Sequence, residues 1–166
     1  MNSNTTSMVS GLLLSLALGW FTQLPAQETQ LDVTNRFAVE TDEIPDFQKH
    51  VVPLFGRLGC NGRACHGSFQ GQGGFQLSLF GYDFDADHQA LFSEESPRVD
   101  LDVVDESLIL FKPTDEDEHE GGERFSKEGW EYRLLSQWIA AGAPKAEPLH
   151  RLEHLRVEPQ QITFAQ

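Results

Sequence analysis

Apolar residues recur at helical spacing in the segment that follows Asp46. They lie three and four residues apart, which places them on one face of a helix: Phe47, Val51, Leu54, Phe55 and Leu58. Pro53 lies inside this pattern, so the predicted helix either begins late or bends at that residue. Gly59 follows the last apolar position and is predicted to end the helix, because glycine is common just past a helix C-terminus.

A second amphipathic pattern runs from about Lys127 to Ala141 and predicts the last helix of the domain. Gly142 and Pro144 terminate it. Two packed amphipathic helices are enough to build a small core, so we expect the tryptophans of this helix to be core residues. The apolar face is formed by Trp130, Leu134, Leu135, Trp138 and Ile139.

Shorter elements are predicted between these two helices. Residues 67–74 form a glycine-rich loop, and alternating apolar and polar side chains over residues 75–80 predict a short strand or a packed extended segment. A short helix is predicted within residues 83–94, and residues 107–111 are a short apolar run. The pattern as a whole predicts one mainly α domain over residues 44–145, with long irregular loops.

The only long apolar run outside this domain is residues 9–20. It is too short to span a bilayer core of about 30 Å, and it has the length of the hydrophobic region of a signal peptide. Leu24-Pro25-Ala26 offers a cleavage site, so residues 1–26 are predicted to be a signal peptide and residues 27–43 a polar linker. No Lys or Arg precedes the run, which leaves an uncleaved anchor or a misassigned start codon as alternatives. Cleavage predicts a periplasmic or extracellular (cell-surface) protein without a stable membrane span.

The chain carries 26 acidic and 12 basic side chains, a formal charge of −14, and no charged side chain precedes Glu28. Removal of the signal peptide would therefore leave the whole acidic excess on the mature protein. An acidic surface repels phosphate backbones and anionic membranes, so no nucleic-acid partner is expected. It would suit a basic protein partner, although such an excess is most often a solubilising face.

The two cysteines lie close together, in the stretch Cys60-Asn61-Gly62-Arg63-Ala64-Cys65-His66. Haem of the c type is attached at C-x-x-C-H, where two thiols form thioethers with haem vinyl groups and the adjacent histidine binds the iron. Here the spacer is longer, and we expect the flexible Asn61-Gly62 pair to bulge outward so that both sulfurs keep their places. The motif predicts that Cys60 and Cys65 hold haem c covalently and that His66 is the proximal iron ligand.

Two other interpretations of the cysteine pair are open on the residues alone. A disulfide between Cys60 and Cys65 suits an exported protein with two cysteines, but it gives no role to His66. A zinc site could use both thiolates, His66 and a distant histidine, although thiolate zinc sites are commoner in reducing compartments.

The segment from Phe47 to Pro144 resembles the cytochrome c-type domain of large exported planctomycete proteins. The resemblance covers about three fifths of the chain, and the combination of its stretches is specific. The stretches are the cysteine motif with Gly67-Ser68, and residues 50–55 (HVVPLF), 73–83 (GGFQLSLFGYD), 107–113 (SLILFKP), 119–125 (HEGGERF) and 138–144 (WIAAGAP).

This resemblance implies a cytochrome c-like fold with long irregular loops around one covalent haem. In that family the haem domain is N-terminal, and an immunoglobulin-like β domain often follows. Residues 146–166 resemble the start of such a β domain. The resemblance therefore implies a truncated member of the family or one piece of a split gene.

The second axial ligand of the iron cannot be methionine in the mature protein. The chain has only Met1 and Met8, both in the predicted signal peptide. The remaining candidates are a lysine, an open site or one of five histidines: His50, His88, His119, His150 and His154. The resemblance favours His119 as the distal iron ligand, because related domains have a Met-Pro-Pro turn there and residues 120–122 supply a similarly tight loop. Its acidic neighbours would otherwise suit a solvated surface residue.

Electron transfer by one covalent haem is the predicted function, in a carrier rather than an enzyme, with a redox protein as partner. One alternative is a haem-free extracellular binding or interaction module stapled by the disulfide. The other is a haem sensor or haem enzyme with an open distal site.

Overall fold

The computed structural model describes residues 32–145 and 153–154. These residues belong to one of two compact units of the chain, Leu31–Gln166. The predicted signal peptide lies outside the described residues. So does the tail that is predicted to open a β domain, except for residues 153–154. Within the described part of the chain, no helix is long and apolar enough to cross a membrane.

The described residues are mainly helical, as the sequence predicts. The α-helices in this part of the chain are α1 (Val33–Arg36), α2 (Val52–Leu58), α3 (Phe84–Leu91), α4 (Leu108–Phe111) and α5 (Trp130–Ala140). A π-helical turn, Phe47–Val51, directly precedes α2. Three 3₁₀ turns lie between the helices, at Leu79–Gly81, Val104–Glu106 and Lys112–Thr114. Residues 32–145 contain no β-strand, only an isolated antiparallel bridge between Gln72 and Phe75.

The first predicted helix forms, and Pro53 influences its shape. Asp46 caps the helix, because its carboxylate accepts a hydrogen bond from the backbone N–H of Lys49 at 2.7 Å. The first turn is π-helical, and the N–H of Val51 donates to the carbonyl of Asp46 at 3.3 Å. Pro53 has no N–H to donate, and its ring crowds the carbonyl four residues back. The wider turn therefore lets the chain pass into α2 without a break.

The core forms where the π turn meets α5. Phe47 and Trp138 are fully buried, and their rings stack with centroids 5.5 Å apart. The helix ends at Ala140, shortly before Gly142, whose φ of 88° is a conformation that favours glycine. Four of the five residues of the predicted apolar face are buried, Leu134, Leu135, Trp138 and Ile139, whereas Trp130 is half-buried against the core.

The alternating segment over residues 75–80 is a packed extended segment rather than a strand in a sheet. Phe75 and Leu77 are buried while Gln76 between them is exposed, so the predicted alternation is present in its first half. The N–H of Leu77 donates to the carbonyl of His66 at 2.8 Å. This bond fixes the segment against the loop that follows α2.

Part of the predicted linker packs against the helices of the predicted domain. Residues 33–36 form α1, and Phe37 directly after them is fully buried. The carbonyl of Phe37 accepts a hydrogen bond from Nε of Arg133 on α5 at 3.0 Å. One aromatic residue in a polar stretch produces no periodic pattern, so its burial was not predicted.

Phe37→Ala should lower the free energy of unfolding by about 3–5 kcal/mol, because truncating a buried phenylalanine loses its packing and leaves a cavity. Val39→Ala is the matched control. Val39 is 67% exposed, and its truncation should change the free energy by less than about 0.5 kcal/mol. Urea denaturation followed by circular dichroism measures both variants. Equal unfolding midpoints would show that the segment after α1 does not stabilise the fold.

Candidate functional site

A cavity of about 700 Å³ opens beside the C-terminal end of α2. It brings the four predicted site residues together, because its wall includes Cys60, Cys65, His66 and His119. The volume lies within the range of about 300–1,000 Å³ that is usual for cofactor and small-molecule sites. Apolar side chains from distant parts of the chain complete the wall, among them Phe55, Leu58, Phe75, Leu77, Ile109 and Leu135.

The end of α2 places Cys60 at this cavity. Gly59 adopts the left-handed conformation with a φ of 80°, and its N–H donates to the carbonyl of Gly56 at 3.2 Å. The N–H of Cys60 donates to the carbonyl of Phe55 at 2.9 Å. Together these bonds form a Schellman motif, which ends a helix and turns the chain. The predicted helix end at Gly59 is confirmed, and it fixes where the cysteine motif begins.

The spacer between the cysteines turns inward at its first residue, which corrects the expected outward bulge of Asn61 and Gly62. Asn61 is 1% exposed, and its carbonyl accepts the N–H of Phe80 at 3.1 Å. The exposed part of the spacer is residues 63–64. The loop closes where the N–H of His66 donates to the carbonyl of Cys60 at 2.9 Å. The longer spacer is therefore a packed turn.

Two glycines permit close approaches at the site. A Cβ on Gly67 would lie 2.1 Å from the carbonyl oxygen of Asn61, a distance no larger residue could accept without moving the backbone. A Cβ on Gly121 would lie 2.7 Å from Cε1 of His119. Both histidine-bearing loops therefore depend on a residue without a side chain.

Cys60 and Cys65 are both free thiols in the structure. Burial raises the pKa of the Cys60 thiol to about 11, although the nearby Arg124 guanidinium acts in the opposite direction. Cys60 is therefore a neutral thiol at physiological pH, packed against the hydrophobic core.

The imidazole of His66 is oriented through Nδ1. This nitrogen lies 3.1 Å from the carbonyl oxygen of Phe75. The imidazole of His66 and the ring of Phe75 pack with their centroids 4.8 Å apart. Burial lowers the pKa of His66, which favours the neutral imidazole. A neutral histidine that donates Nδ1–H to a carbonyl presents the lone pair of Nε2, the usual arrangement of a metal-binding histidine.

His119 is oriented in the same way on the loop after α4. Its Nδ1 lies 2.8 Å from the carbonyl oxygen of Gly122, whose N–H in turn donates to the carbonyl of His119 at 2.7 Å. Gly122 has a φ of 74°, so the predicted tight loop is present. The N–H of His119 donates to the carbonyl of Asp115 at 3.1 Å. His119 is thus a half-buried residue of the cavity wall, although its neighbours Asp117 and Glu118 are exposed.

The rings of His66 and His119 are 6.4 Å apart between centroids, and their planes are 23° from parallel. Two imidazoles that bind one metal ion from opposite sides have centroids about 6 Å apart. This follows because each metal–nitrogen bond is about 2 Å long and each ring centre lies about 1 Å behind its nitrogen. The observed centroid separation is close to this value.

The other described histidines make their contacts elsewhere. Nδ1 of His50 accepts the N–H of Asp46 at 2.8 Å. Nε2 of His88 lies 3.0 Å from the carbonyl oxygen of Ala143. Neither residue lines the cavity, and His154, the one described histidine of the tail, is exposed. Of the candidate histidines that the structure describes, only His119 shares the cavity wall with His66.

Within residues 32–145 and 153–154, no group of three or more His, Cys, Asp or Glu side chains is placed to hold a metal ion. A structural zinc site needs four such ligands. A haem iron needs only two from the protein, because the porphyrin supplies the other four nitrogens.

Arg98 also lies on the cavity wall, although no sequence pattern predicted it there. It is 8% exposed although it is charged, and its Nη2 donates to the carbonyl of Gly73 at 2.8 Å. Lys112 and Arg124 bring further positive charge to the cavity. No motif surrounds Arg98 in the sequence, whereas Lys112 and Arg124 lie in two of the stretches that carry the resemblance. The one sequence signal of Arg98 is that it is a basic residue in a strongly acidic chain.

Comparisons with protein-family models, with curated proteins and with solved structures give no match to this chain.

Alkylation of Cys60 in the folded, haem-free chain should be slow at pH 8 and should accelerate about tenfold per pH unit. With a pKa of about 11, only about one thiol in a thousand is ionised at that pH. Timed pulses of iodoacetamide followed by peptide mass spectrometry measure the rate. Unfolding in urea is the control and should raise the rate at pH 8 about a hundredfold. A rate that levels off below about pH 9 would contradict a buried neutral thiol.

Proposed function

We propose that this chain is an exported c-type cytochrome that carries one covalent haem in a cytochrome c-like domain and transfers electrons. Cys60 and Cys65 attach the haem, His66 is the proximal iron ligand and His119 is the distal one. The observation that carries the proposal is the 6.4 Å separation of the His66 and His119 rings, in a cavity that both cysteines also line.

Cys60 and Cys65 would attach the haem as thioethers. Each thiol adds its sulfur to one carbon of a vinyl group and its hydrogen to the other, so no atom is lost. Because burial suppresses ionisation of Cys60 in the folded chain, we expect attachment before this segment packs. Covalent attachment suits export, because an exported protein cannot recover a lost haem from the cytoplasm.

Bound haem supplies an iron that changes between Fe(III) and Fe(II). His66 and His119 would hold the iron through Nε2, because a backbone carbonyl lies against Nδ1 of each ring. Two protein ligands on the iron would favour an electron carrier over a haem enzyme or a sensor. Histidine in place of methionine predicts a lower reduction potential.

Acidic side chains near His119 favour a basic redox partner. Asp117, Glu118 and Glu120 are exposed and line the cavity. They lie on a chain with a formal charge of −14. An acidic rim would attract the basic surface of a redox protein to the cavity and raise the rate of association.

The resemblance to the planctomycete cytochrome domain supports the same proposal. Five of its six stretches contribute side chains to the cavity wall, among them residues 73–83, 107–113 and 119–125. The sixth, residues 138–144, begins with the buried Trp138 of the core. Residues that carry the resemblance but lie far apart in the chain therefore meet at one site.

The direct test is to express the full chain in a periplasm with haem-attachment machinery. The reduced pyridine haemochrome should show the α band of c-type haem, and the colour should survive extraction with acidified acetone. Cys60→Ala with Cys65→Ala is the control and should lose the haem on extraction. A wild-type chain without haem in the presence of competent machinery would reject the proposal and leave the disulfide-stapled binding module.

His119→Ala should open the distal position of the haem protein. The reduced wild-type protein should bind almost no carbon monoxide, whereas the variant should bind about one equivalent, because its iron has lost one axial ligand. His50→Ala is the matched control, since His50 lies outside the cavity. The shift of the Soret band on addition of carbon monoxide measures all three proteins. Binding by the wild-type protein, or by the His50 variant alone, would exclude His119 as the ligand.

A further inference from the structure

Arg98 is the only buried basic side chain in the described part of the chain. Its backbone is fixed from two sides. Its N–H donates to the carbonyl of Leu91 at the end of α3 at 2.8 Å, and its carbonyl accepts the N–H of Ile109 in α4 at 3.1 Å. Two helices therefore hold this residue at the cavity wall, and the position of its guanidinium does not depend on a loose loop.

The guanidinium of Arg98 is only partly paired by the protein. Nη2 donates to the carbonyl of Gly73 at 2.8 Å, and the guanidinium carbon lies 5.1 Å from the ring centroid of Phe75. Nε is buried and has no hydrogen-bond partner within the protein. Burial lowers the pKa of Arg98, yet an arginine side chain remains a cation in proteins. A buried cation that makes a single hydrogen bond and one ring contact is unfavourable until an anion pairs with it.

The other two cations of the cavity are placed differently. Nζ of Lys112 already donates to the carbonyl of Glu118 at 3.0 Å. Arg124 is exposed, so water can solvate its charge. Arg98 therefore has the strongest requirement for an anion supplied by the ligand.

We propose that Arg98 binds a carboxylate group of the ligand that occupies this cavity, and that it thereby sets the rotation of that ligand relative to His66. The inference rests on the proposed function, in which the ligand is haem and the anion is one of its propionate side chains. A guanidinium fork matches the two oxygens of a carboxylate. Arg98 also stacks on Phe75, whose carbonyl orients His66, so the two contacts with the ligand share one wall.

The test compares haem with its dimethyl ester, in which both propionates are neutral. The full chain with Cys60→Ala and Cys65→Ala, purified without haem, is titrated with each ferric porphyrin, and the Soret band gives the dissociation constants. Arg98→Gln should weaken haem binding about tenfold or more and leave binding of the ester unchanged. Arg98→Gln and esterification of the propionates should remove the same contact. Their effects on the free energy of binding should therefore not be additive. Lys127→Gln is the matched control, since it removes an exposed positive charge outside the cavity.

Each outcome of the titrations decides between roles. Equal weakening of haem and ester by Arg98→Gln would show that Arg98 only stabilises the fold, and no weakening of either would show that the charge is unused. If Arg98→Gln does not fold, Arg98→Lys takes its place, because it keeps the charge and loses the fork; haem should again weaken more than the ester. If the Arg98 variants bind both porphyrins as tightly as the unsubstituted Arg98 protein does, the role of Arg98 is overturned and the proposed function is not. Absence of haem binding in every protein, together with an uncoloured wild-type chain, overturns the proposed function as well.

Discussion

Two hydrogen bonds from imidazole to backbone determine the geometry of the site. Nδ1 of His66 lies against the carbonyl of Phe75, and Nδ1 of His119 lies against the carbonyl of Gly122. These contacts fix the orientation of both rings at a centroid separation of 6.4 Å. Because the acceptors are backbone atoms, the positions of the rings depend on how the chain is folded and not on the identity of neighbouring side chains.

The helices hold the site in place, and the loops between them carry it. The Schellman turn at Gly59 directs the chain from α2 into the cysteine motif, and Gly67 lets that loop pack against the carbonyl of Asn61. Gly121 lets the second loop approach the ring of His119. Function on loops supported by a packed scaffold is a common arrangement, since loops can supply polar groups that a core cannot.

Much of the scaffold and the grouping of Cys60, Cys65 and His66 could be predicted from the sequence, because each left a local pattern. His119 was favoured only by the family resemblance. The spacing of apolar residues and the glycine that follows each helix predict α2 and α5. Cys65 and His66 are adjacent in the chain, so one motif predicts both. Contacts between distant segments leave no such pattern. Asn61 turns inward because the N–H of Phe80 needs its carbonyl, and Arg98 lines the cavity because α3 and α4 hold its backbone there. Neither partner can be deduced from spacing alone.

The electron paramagnetic resonance spectrum of the frozen ferric haem protein tests the central claim most directly. Two histidines on one iron predict a low-spin signal. Ring planes 23° from parallel predict a rhombic one, because nearly parallel imidazoles remove the degeneracy of the two iron orbitals that overlap with them. The signal should become high-spin when His119 is replaced by alanine. A high-spin wild-type spectrum, or a low-spin spectrum that the replacement leaves unchanged, would contradict an iron held between His66 and His119.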